Sequence, residues 1–116
     1  LDSLGEGILT TDAHGLIDYI NPSAEAVTGV RREDAVGQAF GAMFGFVDEH
    51  DRRALADPVQ QCLATGSRVN LGRRSLLISR ATGGELGVEA TASPIRGEDG
   101  GVEGVAVMLH DVSELR

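Results

Sequence analysis

The sequence predicts an α+β fold of five strands, the later ones antiparallel, with a group of short helices between the second and the third. Three observations lead there. The elements run as two strands, a group of short helices and three further strands, with glycine-rich turns between the strands. Two dipeptides, Asn21-Pro22 and Asp57-Pro58, each open a short helical stretch that a glycine closes, Gly29 and Gly66. The final strand is apolar on both faces and leads without a turn into Asp111-Val112-Ser113-Glu114. That segment reads as a capping box, with Asp111 as N-cap and Glu114 at N3.

Taken in order, Gly7–Asp12 and Leu16–Ile20 form a hairpin around the turn Ala13-His14-Gly15. Pro22–Thr28 is a helix with Ala24, Val27 and Ala26 turned inward, and Glu33–Gly37 is a second helical turn. Ala39–Val47 reads as irregular, and Asp48–Ala56 reads as helical with Leu55 inward. From Asp57, the apolar residues Val59, Cys62 and Leu63 fall at helical spacing on one stripe. Arg68–Arg80 is a long strand broken near Gly72. Glu85–Ser93 alternates, with Leu86, Val88, Ala90 and Ala92 on one face, as a half-buried antiparallel strand should. In the last strand, Val102–His110, Val105, Val107 and Leu109 take one face and Ala106, Met108 and His110 the other.

Bulk properties bound the function. At 116 residues the chain is one domain, and 41% hydrophobic residues suffice for a single core. A formal charge of −8 argues against nucleic acid and against direct contact with an anionic membrane. No apolar run approaches the roughly 18 residues a span needs. The lone Cys62 excludes an internal disulfide and fits a reducing, cytoplasmic setting, although a parent protein could still be membrane-anchored. The terminal helix begins only a few residues before the chain stops, whereas a helix needs about 12–15 residues to be even marginally stable alone. Residues 1–116 therefore read as a single domain excised from a longer multidomain protein.

The segments Gly7–Gly15, Ile20-Asn21-Pro22-Ser23-Ala24-Glu25, Thr28-Gly29, Asp34–Gln38 and Gly104–Glu114, in this order and spacing, resemble a PAS domain, the sensory box of signalling proteins. The stretch from Asp57-Pro58-Val59 to Ser93-Pro94-Ile95 is most similar to PAS domains of bacterial GGDEF/EAL diguanylate cyclase and phosphodiesterase proteins and of sensor histidine kinases. The resemblance implies a five-stranded antiparallel sheet with short helices packed on one face, a pocket between sheet and helices, assembly as a homodimer, and output through the helix after the last strand.

Catalytic chemistry is not expected. No serine lies in a nucleophile elbow, and Gly5-Glu6-Gly7 precedes a strand and lacks the Lys-Ser/Thr of a phosphate loop. His14, His50 and His110 are not spaced as metal ligands, and Cys62 has no sulfur partner. His50 lies among charges, in Asp48-Glu49-His50-Asp51, where haem would need an apolar pocket. Gly37–Gly41 lacks the reactive cysteine of the flavin-binding branch. His110 stands beside Asp111; a surface or interface contact is its expected role, with a pH-sensitive His–carboxylate pair as the alternative.

The ligand-pocket candidates are Ile20, Asn21, Phe40, Phe44, Phe46, Leu55, Val59, Leu63, Ile78, Val88, Ala90 and Val105, with Leu76 beside them; a filled hydrophobic core is the alternative for most. Ala90, Ala92 and Ala106 leave space for a small molecule, and Asn21, Ser79 and Thr91 are its polar handles. The ligand itself is open. Signal relay is assigned to Asp111, Val112, Ser113 and Glu114. The expected role is a bacterial sensory and dimerisation module acting on an adjacent output domain, with GGDEF/EAL cyclic-di-GMP turnover first. A histidine-kinase module and a ligand-free dimerisation spacer are the alternatives. An enzyme is the rival class and lacks a convergent nucleophile, acid or metal.

Overall fold

The computed structural model describes residues 6–112. A hairpin of β1 (Glu6–Asp12) and β2 (Ile17–Ile20) opens the chain. Three short helices follow, α1 (Pro22–Thr28), α2 (Arg32–Ala35) and α3 (Phe40–Met43), and then β3 (Phe44–Asp48) and α4 (Pro58–Thr65). Four strands complete it: β4 (Val69–Asn70), β5 (Ser75–Ser79), β6 (Glu85–Arg96) and β7 (Val102–Asp111). All pairings are antiparallel, and the sheet order is β2-β1-β7-β6-β5-β3, with β4 also on β6.

The expected five strands become seven for two reasons. β4 and β5 are two pieces of one interrupted strand, since Val69 and Asn70 pair with Ala92 and Thr91 while Ser75 to Ile78 pair with Val88 to Glu85 further along β6. The break falls at Gly72, which holds φ 79°, a left-handed conformation natural only to glycine. β3 adds a true extra edge in the segment expected to be irregular. Its Phe-Gly-Phe pattern buries Phe44 and Phe46 on one face while Gly45 pairs with Ile78.

Cap chemistry fixes the helices where the sequence places them. Asn21 Oδ1 accepts from Ala24 N at 2.7 Å, and Gly29 closes α1 at φ 73°. Asp57 Oδ1 accepts from Val59 N at 2.8 Å, and Gly66 closes α4 at φ 67°. On α1 the buried residues are Ala24 and Thr28, with Val27 half-buried and Ala26 exposed, so Ala26 leaves the inward set. Thr28 tolerates burial because its hydroxyl donates to Ala24 O at 2.7 Å.

The segment 48–56 is not a helix. Asp48 Oδ1 accepts from His50 N and Asp51 N at 2.8 and 3.2 Å, a local turn that competes with helical pairing and holds the Asp48 carboxyl below its ordinary 3.8. Arg52 then takes φ 61°, which breaks a right-handed helix. Its guanidinium is held by Glu85 through two bonds of 3.1 and 2.7 Å. The returning chain covers the outer edge of β3, with Leu55 N donating to Phe46 O at 2.9 Å.

The helices lie on the face of β1, β7 and β6 that carries Leu9, Val88, Ala90, Ala92, Val105, Val107 and Leu109, all 0% exposed. α1 sits directly on β1: a Cβ on Gly7 would stand 2.6 Å from Ala24 Cα, so only glycine permits that approach. Asn21 ties the two together a second time, because the same Oδ1 accepts from Ile8 N at 3.0 Å. Asn21→Ala is expected to lower stability by about 1–2 kcal/mol by urea titration with an unchanged m-value, and Asn21→Asp to restore most of it. Equal midpoints for Asn21→Ala and the parent chain would contradict this account of α1.

Candidate functional site

Eight of the twelve pocket candidates lie in the hydrophobic core. Ile20, Phe40, Phe44, Phe46, Val59, Val88, Ala90 and Val105 are at most 4% exposed and join one hydrophobic cluster. Phe40 packs against Phe44 and Phe46 at ring-centroid distances of 5.3 and 6.2 Å. These residues are where the sequence placed them, between sheet and helices, and they pack against one another. Leu55 and Leu63 are half-buried against the same cluster.

Five candidates are corrected. In the run Ser75–Ser79 it is Leu77, at 2% exposure, that faces the core; Ile78 and Leu76 lie on the other face of β5. Asn21 is occupied as the cap of α1 and as the tie to β1. Thr91 and Ala106 also point away from the helices: Thr91 is bonded by Asn70 Nδ2 at 2.8 Å, and Ala106 stands in register between Thr10 and Ser93. Of the remaining polar handle and spacers, Ser79 is buried and Ala90 and Ala92 face the core.

Cys62 is buried on α4, as its apolar stripe predicts; burial pushes the thiol above its ordinary value, with the charge of Arg96 acting the other way. Among the described residues no group of three or more His, Cys, Asp and Glu is placed to hold a metal ion. No helix among them is long and apolar enough to cross a membrane.

Three concave features stand out among the described residues; the third, of about 240 Å³, is lined by Val27 and Thr28 of α1 and by Leu77 and Ser79 of β5, among others. The first lies on the outer face of the sheet, a groove of about 510 Å³ whose lining includes Glu6, Arg73, Glu89, Met108 and His110. His110 faces this groove, in register between Glu6 and Glu89, with Nδ1 at 3.7 Å from the Glu6 carboxylate and without a hydrogen-bond partner among the described residues. Along this face Ile8, Tyr19, Ile95 and Met108 are 37–43% exposed. The second is a cleft of about 360 Å³ at the β3 edge, lined by Phe44, Phe46, Leu55 and Ile78 together with Asp57 and Arg80. The charged pair was not singled out in the sequence. Asp57 was legible there only as a helix cap, and Arg80 only as the end of a strand.

The relay candidates sit at the end of β7. Asp111 is its last residue, opposite Val88, and Val112 is 2% exposed with its N–H donating to Gly87 O at 3.2 Å. Ser113 and Glu114, and the helix that Asp111 would cap, lie outside the described residues.

Comparison with known proteins agrees with this geometry. The family model described as PAS fold matches residues 1–116. "Probable diguanylate cyclase DgcE" of Escherichia coli (strain K12) is 25% identical over 116 residues, all of this chain and 10% of that protein. The chain thus spans about a tenth of the length of the curated relative it matches. Among solved structures, a PAS domain from Colwellia psychrerythraea superposes with a TM-score of 0.71 at 21% identity, covering 96% of this chain and 89% of that one. The PAS domain of nitrogen regulation protein NR(II) from Vibrio parahaemolyticus gives 0.67 at 22% identity, covering 96% and 93%. A sheet with β7 and β6 at its centre, short capped helices on one face and a family match over every residue together establish that the chain belongs to the PAS fold family.

Proposed function

We propose that this domain is the sensory and dimerisation module of a cytoplasmic region in a bacterial signal-transduction protein, and that it passes its state through the end of β7 to an adjacent output domain. The observation that carries the reading is the placement of β7. It lies between β1 and β6, and its inner face is completely buried. Its last residues stay tied to the start of β6 through Asp111 opposite Val88 and the Val112–Gly87 bond. A displacement of the sheet therefore moves the chain at Val112 with it, rather than being absorbed by a loose tail. Interior packing is bistable more than it is continuously deformable, which favours a discrete relay.

An output domain that turns over cyclic di-GMP is the first choice, because the relative of E. coli is named a probable diguanylate cyclase; a histidine kinase is the second. A homodimer formed through the outer face of the sheet would cover Ile8, Tyr19 and Met108. The close-packed core favours a second reading, a ligand-free dimerisation spacer.

Asp111→Ala, placed in a protein that joins this domain to its output domain, separates the two. Allosteric coupling is typically about 5–150-fold. The relay predicts that the signal-dependent change in output falls to near unity while the melting temperature of the domain stays close to that of the parent. Unchanged regulation in the folded variant would sink the relay and leave the spacer.

A further inference from the structure

We infer that the cleft at the β3 edge is a binding site for a free amino acid with an apolar side chain, held by its two charges between Arg80 and Asp57. This site is separate from the β7 relay, and it does not require the relay to be correct.

The shape is that of a small-molecule site. About 360 Å³ lies within the range of ligand clefts. Half-buried Leu55 and Ile78 supply the accessible apolar lining, beside the buried Phe44 and Phe46. The two charged side chains of the cleft converge on a single glycine. Arg80 Nε donates to Gly41 O at 3.1 Å. Its guanidinium lies over Gly45, where a Cβ would stand 2.5 Å from Nη2 and 3.0 Å from Cζ. Asp57 approaches Gly41 from another side, with Oδ2 at 2.7 Å from the position a Cβ would take.

Both groups have unused capacity. Asp57 spends Oδ1 on the α4 cap, accepting from Val59 N and Gln60 N at 2.8 and 3.3 Å, and Oδ2 has no partner among the described residues. Arg80 spends Nε on Gly41, and the Nη1–Nη2 edge meets no carboxylate among the described residues. No ion pair within 4 Å joins the two; each is held by backbone instead, Arg80 through Gly41 O and Asp57 through Val59 N.

A zwitterion completes this arrangement. An α-carboxylate matches the forked Nη1–Nη2 edge of arginine, which binds carboxylates in a bidentate way. The α-ammonium meets Asp57 Oδ2, and the side chain lies on the apolar lining. A simple anion is disfavoured by Asp57 and a simple cation by Arg80. At position 41 only glycine leaves Asp57 Oδ2 uncrowded, since a Cβ would stand 2.7 Å from it.

Isothermal titration and amide chemical shifts of the chain test this with leucine, and with its two half-charged relatives, 4-methylpentanoate and 3-methylbutylamine. Leucine is expected to bind, to move the Gly41 and Gly45 amides, and to exceed both relatives. Loss of one charge-assisted bond is worth about 10- to 100-fold in affinity. Arg80→Gln should show that loss. Asp57→Asn should show it too, yet keep the fold, because an asparagine oxygen still caps the helix. Asp57→Asn should also narrow the gap between leucine and 4-methylpentanoate. Gly41→Ala serves as a second variant: its methyl group would crowd Asp57 Oδ2 and displace the carboxylate without removing its charge, and it too should abolish binding. Absence of any leucine-dependent shift at Gly41 and Gly45, equal binding of leucine and 4-methylpentanoate to the parent chain, or unchanged affinity in folded Arg80→Gln would each overturn the proposal. None of these outcomes bears on the Asp111→Ala test.

Discussion

Phe40→Ala is expected to cost about 3–5 kcal/mol of folding free energy, a large share of the roughly 5–15 kcal/mol a domain of this kind possesses. Phe40 is 1% exposed, and its ring is the common neighbour of Phe44 and Phe46. It sits on α3, a helix of four residues without a side-chain cap, which has little else to hold it to the sheet. Truncation removes the transfer free energy of the ring and leaves a cavity that the short helix fills only in part. In thermal denaturation the midpoint should drop by roughly 15–30 °C. The variant also tests whether the core is filled. An apolar cavity of this kind stays dry and accepts small apolar guests. Benzene is therefore expected to stabilise Phe40→Ala and to leave the parent chain unchanged. Equal stabilisation of both would show that the parent core already holds room for a guest, contrary to the close packing of its aromatic residues.

Gly104→Ala should be nearly as damaging by the opposite route. Gly104 stands in β7 between Asp12 of β1 and Ile95 of β6. A Cβ there would overlap the carbonyl oxygen of Thr11, a backbone atom that no rotamer change can move away. β7 has a strand hydrogen-bonded on either side, so relief requires opening one of the two ladders. Overpacking costs about 1–3 kcal/mol, and more where the backbone must give. A fall in melting temperature of several degrees to about 20 °C is expected. Gly84→Ala is the control: it lies outside the strands, and its nearest neighbour is the Thr82 hydroxyl at 3.3 Å. A loss confined to Gly104→Ala identifies the β1–β7 approach as the cause. Equal small losses in both variants would contradict it.

What the sequence disclosed follows the range of the forces involved. Helix ends were legible because capping is local: Asn21-Pro22 with Gly29, and Asp57-Pro58 with Gly66, each carry start and stop within about two turns. The alternation of Glu85–Ser93 was legible because one face is buried and the other is not. β3 was missed since Phe44-Gly45-Phe46 is too short for its period of two to stand out. The 48–56 segment was misread as helix because charged residues suit an exposed helix, whereas the Asp48 turn and the left-handed Arg52 depend on geometry that composition does not show.

The functional candidates divide along the same line. Most of the core candidates were found through hydrophobicity. Ile78 was misplaced because Leu76-Leu77-Ile78 is continuously apolar, so its parity is set only by pairing with β6. The Glu6–His110 approach depends on the β1–β7 register, and the facing of Asp57 and Arg80 across Gly41 depends on tertiary packing. No local pattern encodes either.

The central claim is that β7 remains part of the sheet through Val112, so that the chain leaving it inherits the state of the domain. Amide hydrogen exchange at β7 tests this most directly. Val107, Leu109 and Val112 should exchange together, at the slow rate of global opening. Exchange of Val112 at the fast rate of the exposed turns, with Val107 and Leu109 still protected, would show that the end of the strand opens on its own and would contradict the claim.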